Sequence, residues 1–467
     1  MNHKKIHALN NKPWARWTAL ILLSATMLFA STFTWSFSPL QSTLEILEGW
    51  DPTTYGNFSA AVSFLNVFFF FLIISGIILD KMGARFTALL ATGLMCLGGS
   101  ACYWSLTESF ALSGFKDFID GILNLPRAWW NITPFNSGMP ASAKFAALGY
   151  MVFGCGIEMA GITVSRGIVK WFAGKEMALA MGIEIAFVRF STVIVFICVP
   201  IISTLGGGIS VSRPIGLGLF LLCIGFLFML IYFFMDRKLE QQTGAVSQKS
   251  DPFKISDLRL LVTSRVFWIV ALLFASCYSA IFPFQNYAIN MLQCNIGISA
   301  ETAGFIFFIF PLGAAALTPF VGGFLDRNKK EASLLIIGTS LMIICHLTFA
   351  FLLPATRSTI IAFGAIILLG VAFALIPASL YPTVPKIVQS KLIGSAYATI
   401  LWLQNLCLYL CRKGVGALLQ ATNPDVTNPM EYNYTMPMLV FASLAVIGLI
   451  LAINLKSFNK RKHFTAR

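Results

Sequence analysis

Residues 153–190 read FGCGIEMAGITVSRGIVKWFAGKEMALAMGIEIAFVRF. Two apolar helical runs are joined by the short polar turn Trp171-Phe172-Ala173-Gly174-Lys175-Glu176. Each run holds an ionisable side chain near its middle, Glu158 in the first and Arg189 in the second. A charge near the centre of a bilayer costs at least about 2.5–3.5 kcal/mol even on lenient insertion scales, which makes such a residue a functional-site candidate by default. Two of them on consecutive helices point to a membrane transporter whose substrate lies between the charges.

The composition agrees. The 467 residues are 57% apolar and only 11% charged, with a mean hydropathy of +0.79. Soluble globular chains carry about 25% charged residues. The deficit runs the whole length of the sequence, which describes a polytopic membrane protein and excludes a soluble domain on one anchor. A formal charge of +14 then reflects Lys and Arg retained on one face of the membrane, and no nucleic-acid partner is expected. The ten cysteines fall mostly in apolar runs without CxxC or metal spacing and read as small packing residues. The amino terminus is polar up to Trp14, and the first apolar run is long enough to stay as a span, so no cleaved leader is expected.

Runs of about 20 apolar residues match a hydrocarbon layer of about 30 Å. Twelve are expected, centred near residues 27, 66, 95, 158, 190, 224, 278, 311, 343, 370, 406 and 446. The polar stretch 236–265 separates two six-helix lobes, 1–235 with a long outward loop at 107–143, and 266–467 with a basic tail. Of the 33 Lys and Arg residues, 25 lie at the termini or in even-numbered connections and five in odd-numbered ones. The positive-inside rule therefore puts both termini in the cytoplasm. The lobes look like repeats: Gly76-x-x-Leu79-Asp80-Lys81 returns as Gly322-x-x-Leu325-Asp326-Arg327, and Pro39-x-Gln41 returns as Pro283-x-Gln285. Parallel six-helix repeats are a recognised transporter architecture. In the outward loop, Phe115, Phe118, Ile119 and Ile122 share a helical face, and Trp129 and Trp130 follow. This predicts an amphipathic helix at the outer interface with two tryptophan anchors, a lid over the cavity being the alternative. Asn131-Ile132-Thr133 fits a glycosylation sequon.

Gly76-Ile77-Ile78-Leu79-Asp80-Lys81-Met82-Gly83-Ala84-Arg85 resembles the signature loop between the second and third helices of the major facilitator superfamily. Its physics is legible by itself: glycines allow a tight turn, Asp80 can face the positive end of a neighbouring helix, and Lys81 and Arg85 can face the cytoplasm. The resemblance implies a twelve-helix, all-α fold of two six-helix lobes and gives Gly76, Asp80, Lys81, Gly83, Arg85, Asp326 and Arg327 a gating role. Where the family often has Arg four residues before a Gly in span 4, this chain has Tyr150 before Gly154.

Phe153-Gly154 through Glu158, Trp171-Phe172-x-Gly174-Lys175-Glu176, Gly182 and Arg189 resemble the lysosomal dipeptide transporter group of that superfamily. Phe282-Pro283-Phe284 in span 7, Gly394-x-Ala396-Tyr397 and Gln404-Asn405-Leu406 in span 11 extend the likeness to the second lobe. The resemblance implies a dipeptide held by its two ends, the ammonium at Glu158 and the carboxylate at Arg189. The spacing alone implies a zwitterion or an anion, or a structural ion pair.

Further substrate-lining candidates are Gln404, Asn405, Tyr397, Trp35, Tyr278, Phe282 and Gln285, in a cavity between residues about 16–235 and 266–455 that is lined by spans 1, 7 and 11. Arg412 and Lys413 are expected to snorkel to outer headgroups or to draw anions inward. Glu184 is a candidate proton site; at five residues from Arg189 it lies about 140° away round the helix. The favoured reading is a monomeric secondary transporter of dipeptides or similar zwitterions, with proton coupling a candidate. The alternatives are an organic-anion or carboxylate antiporter and, last, a non-transporting receptor. No nucleophile–base pair, metal cluster or phosphate loop stands out, so neither an enzyme nor a cofactor is expected. The short polar amino terminus favours a bacterial inner membrane.

Overall fold

The computed structural model describes residues 9–128, 130–243, 261–389 and 392–465. Most of the expected linker and Trp129 fall outside them. Eleven helices among the described residues are long and apolar enough to cross a membrane, and no strand occurs among them. The helices used below are α1 (Pro13–Trp35), α2 (Gln41–Glu48), α3 (Pro52–Phe68), α4 (Phe71–Trp104), α5 (Gly114–Gly121), α6 (Ala141–Trp171), α7 (Met177–Thr204), α8 (Ser212–Thr243), α9 (Arg265–Ile296), α10 (Ala300–Phe307), α11 (Ile309–Asn328), α12 (Glu331–Leu347), α13 (Thr359–Ile387), α14 (Ile393–Thr422) and α15 (Thr435–Thr465). The second expected span is delivered in two pieces, α3 and the start of α4. Phe70 sits in the left-handed region at φ 51° and breaks the helix there. At the other end Gly83, with φ 79° and ψ 163°, makes the turn that separates the second span from the third inside α4. Only glycine takes that conformation without strain, which is why the signature loop carries it.

The chain packs as two units. Unit 1 holds Met1–Phe37, Ala61–Val195 and Ile202–Pro252. Its tightest seam is α4 against α6, where glycines bring backbones together. A Cβ on Gly98 would stand 2.5 Å from Phe153 N, and one on Gly156 would stand 2.7 Å from Ala91 O. Apolar lipid offers helices little drive to associate, so close approach through small residues and dispersion supplies it. A second core joins α1, α6 and α8 through Leu20, Leu23, Ile168, Trp171, Phe172 and Tyr232. Tyr150 occupies the position where the family often has arginine. Its hydroxyl donates to Thr34 O at 2.9 Å and its ring stacks on Phe153 at 5.7 Å, so the residue ties α6 to α1.

Unit 2 holds Ser38–Ala60, Phe196–Ile201 and Phe253–Arg467. Helix α9 is its axis and is buried along most of its length. Ser264 Oγ caps its start by accepting from Phe267 N at 3.3 Å, and Gly297 at φ 80° ends it. Pro283 sits inside it; a proline there removes one backbone donor, which neighbouring groups in a helical bundle can compensate. The freed carbonyl of Ser279 accepts from Cys411 Sγ at 3.5 Å. Segment 38–60 packs on this frame. The Tyr55 hydroxyl donates to Asn286 O at 3.2 Å, and Gly56 and Gly416 meet so closely that a Cβ on either would lie 2.8–2.9 Å from the other's Cα.

Candidate functional site

Two groups of charged side chains in unit 1 bear on a site. Glu158 lies on α6 and Arg189 on α7, both half-buried, and Gly154 and Gly156 lock the turn before Glu158 against α3 and α4. Glu184 lies half-buried on α7, five residues before Arg189 and hence on a different face. The short turn 172–176 brings α6 and α7 next to each other in sequence, and Gly174 at φ 71° allows its tightness.

The second group is an ion-pair network near the signature loop. Asp80 accepts from Arg166 Nη1, and Arg85 pairs with Glu240 at 2.6 Å. Lys170 bridges Glu240 and Asp236, both at 2.7 Å. Asp236 is fully buried, and its other oxygen accepts from Trp171 Nε1 at 3.0 Å. Arg16 pairs with Glu176 at 3.0 Å above the Phe172 ring. The sequence reading turns Asp80 to a helix end and Lys81 and Arg85 to the cytoplasm; the structure gives Asp80 and Arg85 side-chain partners. Lys81 alone of the loop's charges is exposed. The partners Arg166, Lys170, Asp236 and Glu240 were missed, although the two pairs share i, i+4 spacing with opposite sign, a pattern that places each pair on one helix face. Glycines 76 and 322 have open space around them and Gly83 makes the turn. In the partial repeat, Arg327 stands in the last turn of α11, and Asp326 belongs to the same helix.

Several substrate candidates prove to be engaged in packing. Tyr278 stacks on Phe274 at 5.9 Å and meets Phe282 edge-on at 5.2 Å, with Phe373 closing the cluster. Tyr397 donates to Tyr381 O at 2.8 Å. Asn405 bonds back to Leu401 O of its own helix at 3.2 Å. Gln404 is buried and its Oε1 finds no donor among the described residues, while Gln285 is buried in α9. Trp35 is the last residue of α1 and half-buried. Arg412 does not snorkel: it is 7% exposed, inside unit 2, and its Nη1 reaches Ser59 O at 3.5 Å. The reason is α3, whose start covers the face of α14 that the sequence leaves bare.

Beyond Gln285, sequence reasoning missed the other buried amides of α9: Asn286, Asn290, Gln293 and Asn295. The Tyr434 hydroxyl lies against Gln41 Oε1 at 3.2 Å and against Asn290 Oδ1, and Asn290 Nδ2 donates to Pro429 O at 3.0 Å.

The outward loop forms α5 as expected, but its apolar residues divide. Ile119 is buried with Phe110, whereas Phe118 and Leu112 are exposed at 60% and 87%. Lys144 anchors the loop, donating to Asn124 Oδ1 at 2.7 Å and Asp120 O at 3.1 Å. Asn131 of the sequon is buried, and its amide donates to Phe135 O at 2.7 Å and Pro126 O at 3.1 Å, a structural use of that side chain.

Comparisons with known proteins converge. Residues 20–408 match the family model described as Major Facilitator Superfamily. The lysosomal dipeptide transporter MFSD1 of Danio rerio is 24% identical over 283 residues, 58% of this chain and 59% of that protein. The Homo sapiens protein of that name is 24% identical over 281 residues, with the same two shares, and the Gallus gallus one 25% over 280 residues, 58% of this chain and 62% of that protein. The chain thus aligns with about three-fifths of the length of these relatives. Among solved structures, the nucleoside transporter NupG superposes with a TM-score of 0.66 at 15% identity over 95% of this chain and 99% of its own. The E. coli xylose transporter XylE, in a partially occluded inward-open form, superposes with 0.65 at 15% identity over 95% and 99%. These likenesses establish the fold.

Proposed function

This chain belongs to the major facilitator superfamily, and we propose that it is a secondary transporter of dipeptides or similar small zwitterions, working by alternating access. Two half-buried ions of opposite sign on consecutive helices, Glu158 on α6 and Arg189 on α7, are the observation that carries the proposal. An ammonium and a carboxylate a few ångströms apart on one small molecule satisfy one each. Arg189 offers a planar fork suited to a carboxylate, and Glu158 accepts from an ammonium. Relatives named as lysosomal dipeptide transporters support the substrate class. The same name does not support a bacterial inner membrane. Transport, not catalysis, is the work of the superfamily.

The test is thermal stability of the purified protein against dipeptides, free amino acids and dicarboxylates, for wild type and Glu158→Gln. A ligand that binds only the folded state stabilises it by RT ln(1 + [L]/Kd), about 2.7 kcal/mol at a hundredfold excess over Kd. Dipeptides should stabilise the wild type and lose that effect in Glu158→Gln. Stabilisation by dicarboxylates alone, undiminished or enhanced in the variant, would overturn the dipeptide reading and favour an anion carrier built on Arg189.

A further inference from the structure

Glu45 belongs to α2, which follows α1 and lies near the end of the segment Pro13–Glu48. Its Oε1 accepts a hydrogen bond from the Tyr432 hydroxyl, which reaches it from the 423–434 connection, and its Oε2 is buried with no donor among the described residues. No Lys or Arg among them pairs with this carboxyl. Its titratable neighbours are acidic or neutral: Glu48 on its own helix, Asp51 at the start of α3, Tyr432 and Tyr434 from the connection, Cys294 on α9, and Glu431 beside Cys294. A half-buried carboxylate with one donor and acidic company is strained; its protonated form costs far less to bury.

The surroundings are built to hold α2 in place. One turn before Glu45, Gln41 is 1% exposed and faces Tyr434, while its Nε2 has no acceptor among the described residues. Tyr434 continues to Asn290, and Asn290 to Pro429 of the connection. Asp51, near Glu45, accepts from Thr54 N at 2.7 Å. Segment 38–60 is therefore held to the rest of unit 2 by a polar row in which the Glu45 carboxyl meets Tyr432 of the connection.

We propose that Glu45 is a proton-binding site. Its carboxylate takes one proton from solution, the neutral acid keeps α2 docked on Tyr432 and α9, and loss of the proton releases segment 38–60. The inference leans on the transport reading only for what such release is for, since the ends of spans must part for alternating access. The sign is fixed by linkage: docking takes up a proton, so it weakens as pH rises. One proton per docking event changes the docking constant by at most about tenfold per pH unit.

Hydrogen exchange of peptides covering 41–49 and 423–434, followed by mass spectrometry from about pH 5 to 8 on the full-length protein, tests this without any substrate. Comparing variants at one pH cancels the intrinsic pH dependence of exchange. Glu45→Gln, which keeps the acceptor and cannot ionise, should stay protected throughout. Wild type should match it at the acid end and exchange progressively faster at higher pH, by up to about tenfold per unit. Tyr432→Phe removes only the hydroxyl and should open both peptides at every pH while leaving the rest of the protein protected. Parallel behaviour of wild type and Glu45→Gln at all pH values overturns the proposal, as does opening of the peptides by Glu45→Gln at the acid end. Absence of dipeptide binding would sink the substrate reading and leave this result untouched.

Discussion

Gly156 and Gly161 lie five residues apart on α6, and the same substitution to alanine should move stability in opposite directions. Both changes gain helix propensity, about 0.8–1 kcal/mol for an interior Gly→Ala. Around Gly161 there is room: the nearest atom to a new Cβ is the flexible Met27 Cε at 4.0 Å. Around Gly156 there is none. A Cβ would stand 2.7 Å from Ala91 O and 2.8 Å from Met95 N, both backbone atoms of α4. Ordinary contact begins near 3.4 Å, so α4 would have to retreat by about 0.7 Å along its main seam. Overpacking of this kind costs about 1–3 kcal/mol. Gly156→Ala should therefore be less stable than Gly161→Ala by about that amount, a factor of roughly 5–150 in the folding equilibrium constant at about 1.4 kcal/mol per tenfold. Equilibrium unfolding in mixed micelles, read by tryptophan fluorescence, compares the pair directly. Because Glu158 follows two residues after Gly156, dipeptide stabilisation should fall with Gly156→Ala and persist with Gly161→Ala. Equal stability of the two variants would refute the idea that the missing side chain at Gly156 sets the α4–α6 distance and hence the position of Glu158.

Two further outcomes follow from particular contacts. Asp236→Asn removes the charge from a fully buried carboxyl that holds Lys170 at 2.7 Å; with Glu240 still bound to Lys170, the loss should be about 1.5–3 kcal/mol, the range for a hydrogen bond to a charged group. Thermal melts should show it, and should show it still at high salt, because buried pairs are screened little. Gly416→Ala should loosen segment 52–60, since its Cβ would meet Gly56 Cα at 2.8 Å and the Pro52 carbonyl. Faster hydrogen exchange in that peptide, with the α12–α13 region unchanged, is the expected result, and unchanged exchange in 52–60 would count against a close Gly56–Gly416 crossing.

The spans were legible because a hydrocarbon layer imposes length and apolarity on every one of them, a constraint visible residue by residue. The break at Phe69–Phe70 was not, because the run Val67-Phe68-Phe69-Phe70 contains no glycine or proline to mark the left-handed turn at Phe70. The turn inside α4, by contrast, was legible, because the glycines of the signature loop marked it and Gly83 makes it. Glu158 and Arg189 announced themselves through rarity, since a charge in an apolar run needs no partner to be noticed. The network around Asp236 lay at helix ends, where charges are ordinary, and only the matched i, i+4 spacing of Arg166–Lys170 and Asp236–Glu240 set it apart. The same difference explains Arg412 and Glu45. Arg412 reads as an interfacial charge and Glu45 draws no notice, because hydropathy reports what a helix carries and not what covers it. Segment 38–60 places Ser59 against the Arg412 guanidinium, and Tyr432 of the 423–434 connection meets the Glu45 carboxyl. What sequence cannot weigh is thus the cost of leaving a charge under another helix. That cost, rather than the charge itself, separates a headgroup anchor from a group whose protonation decides whether two segments stay together.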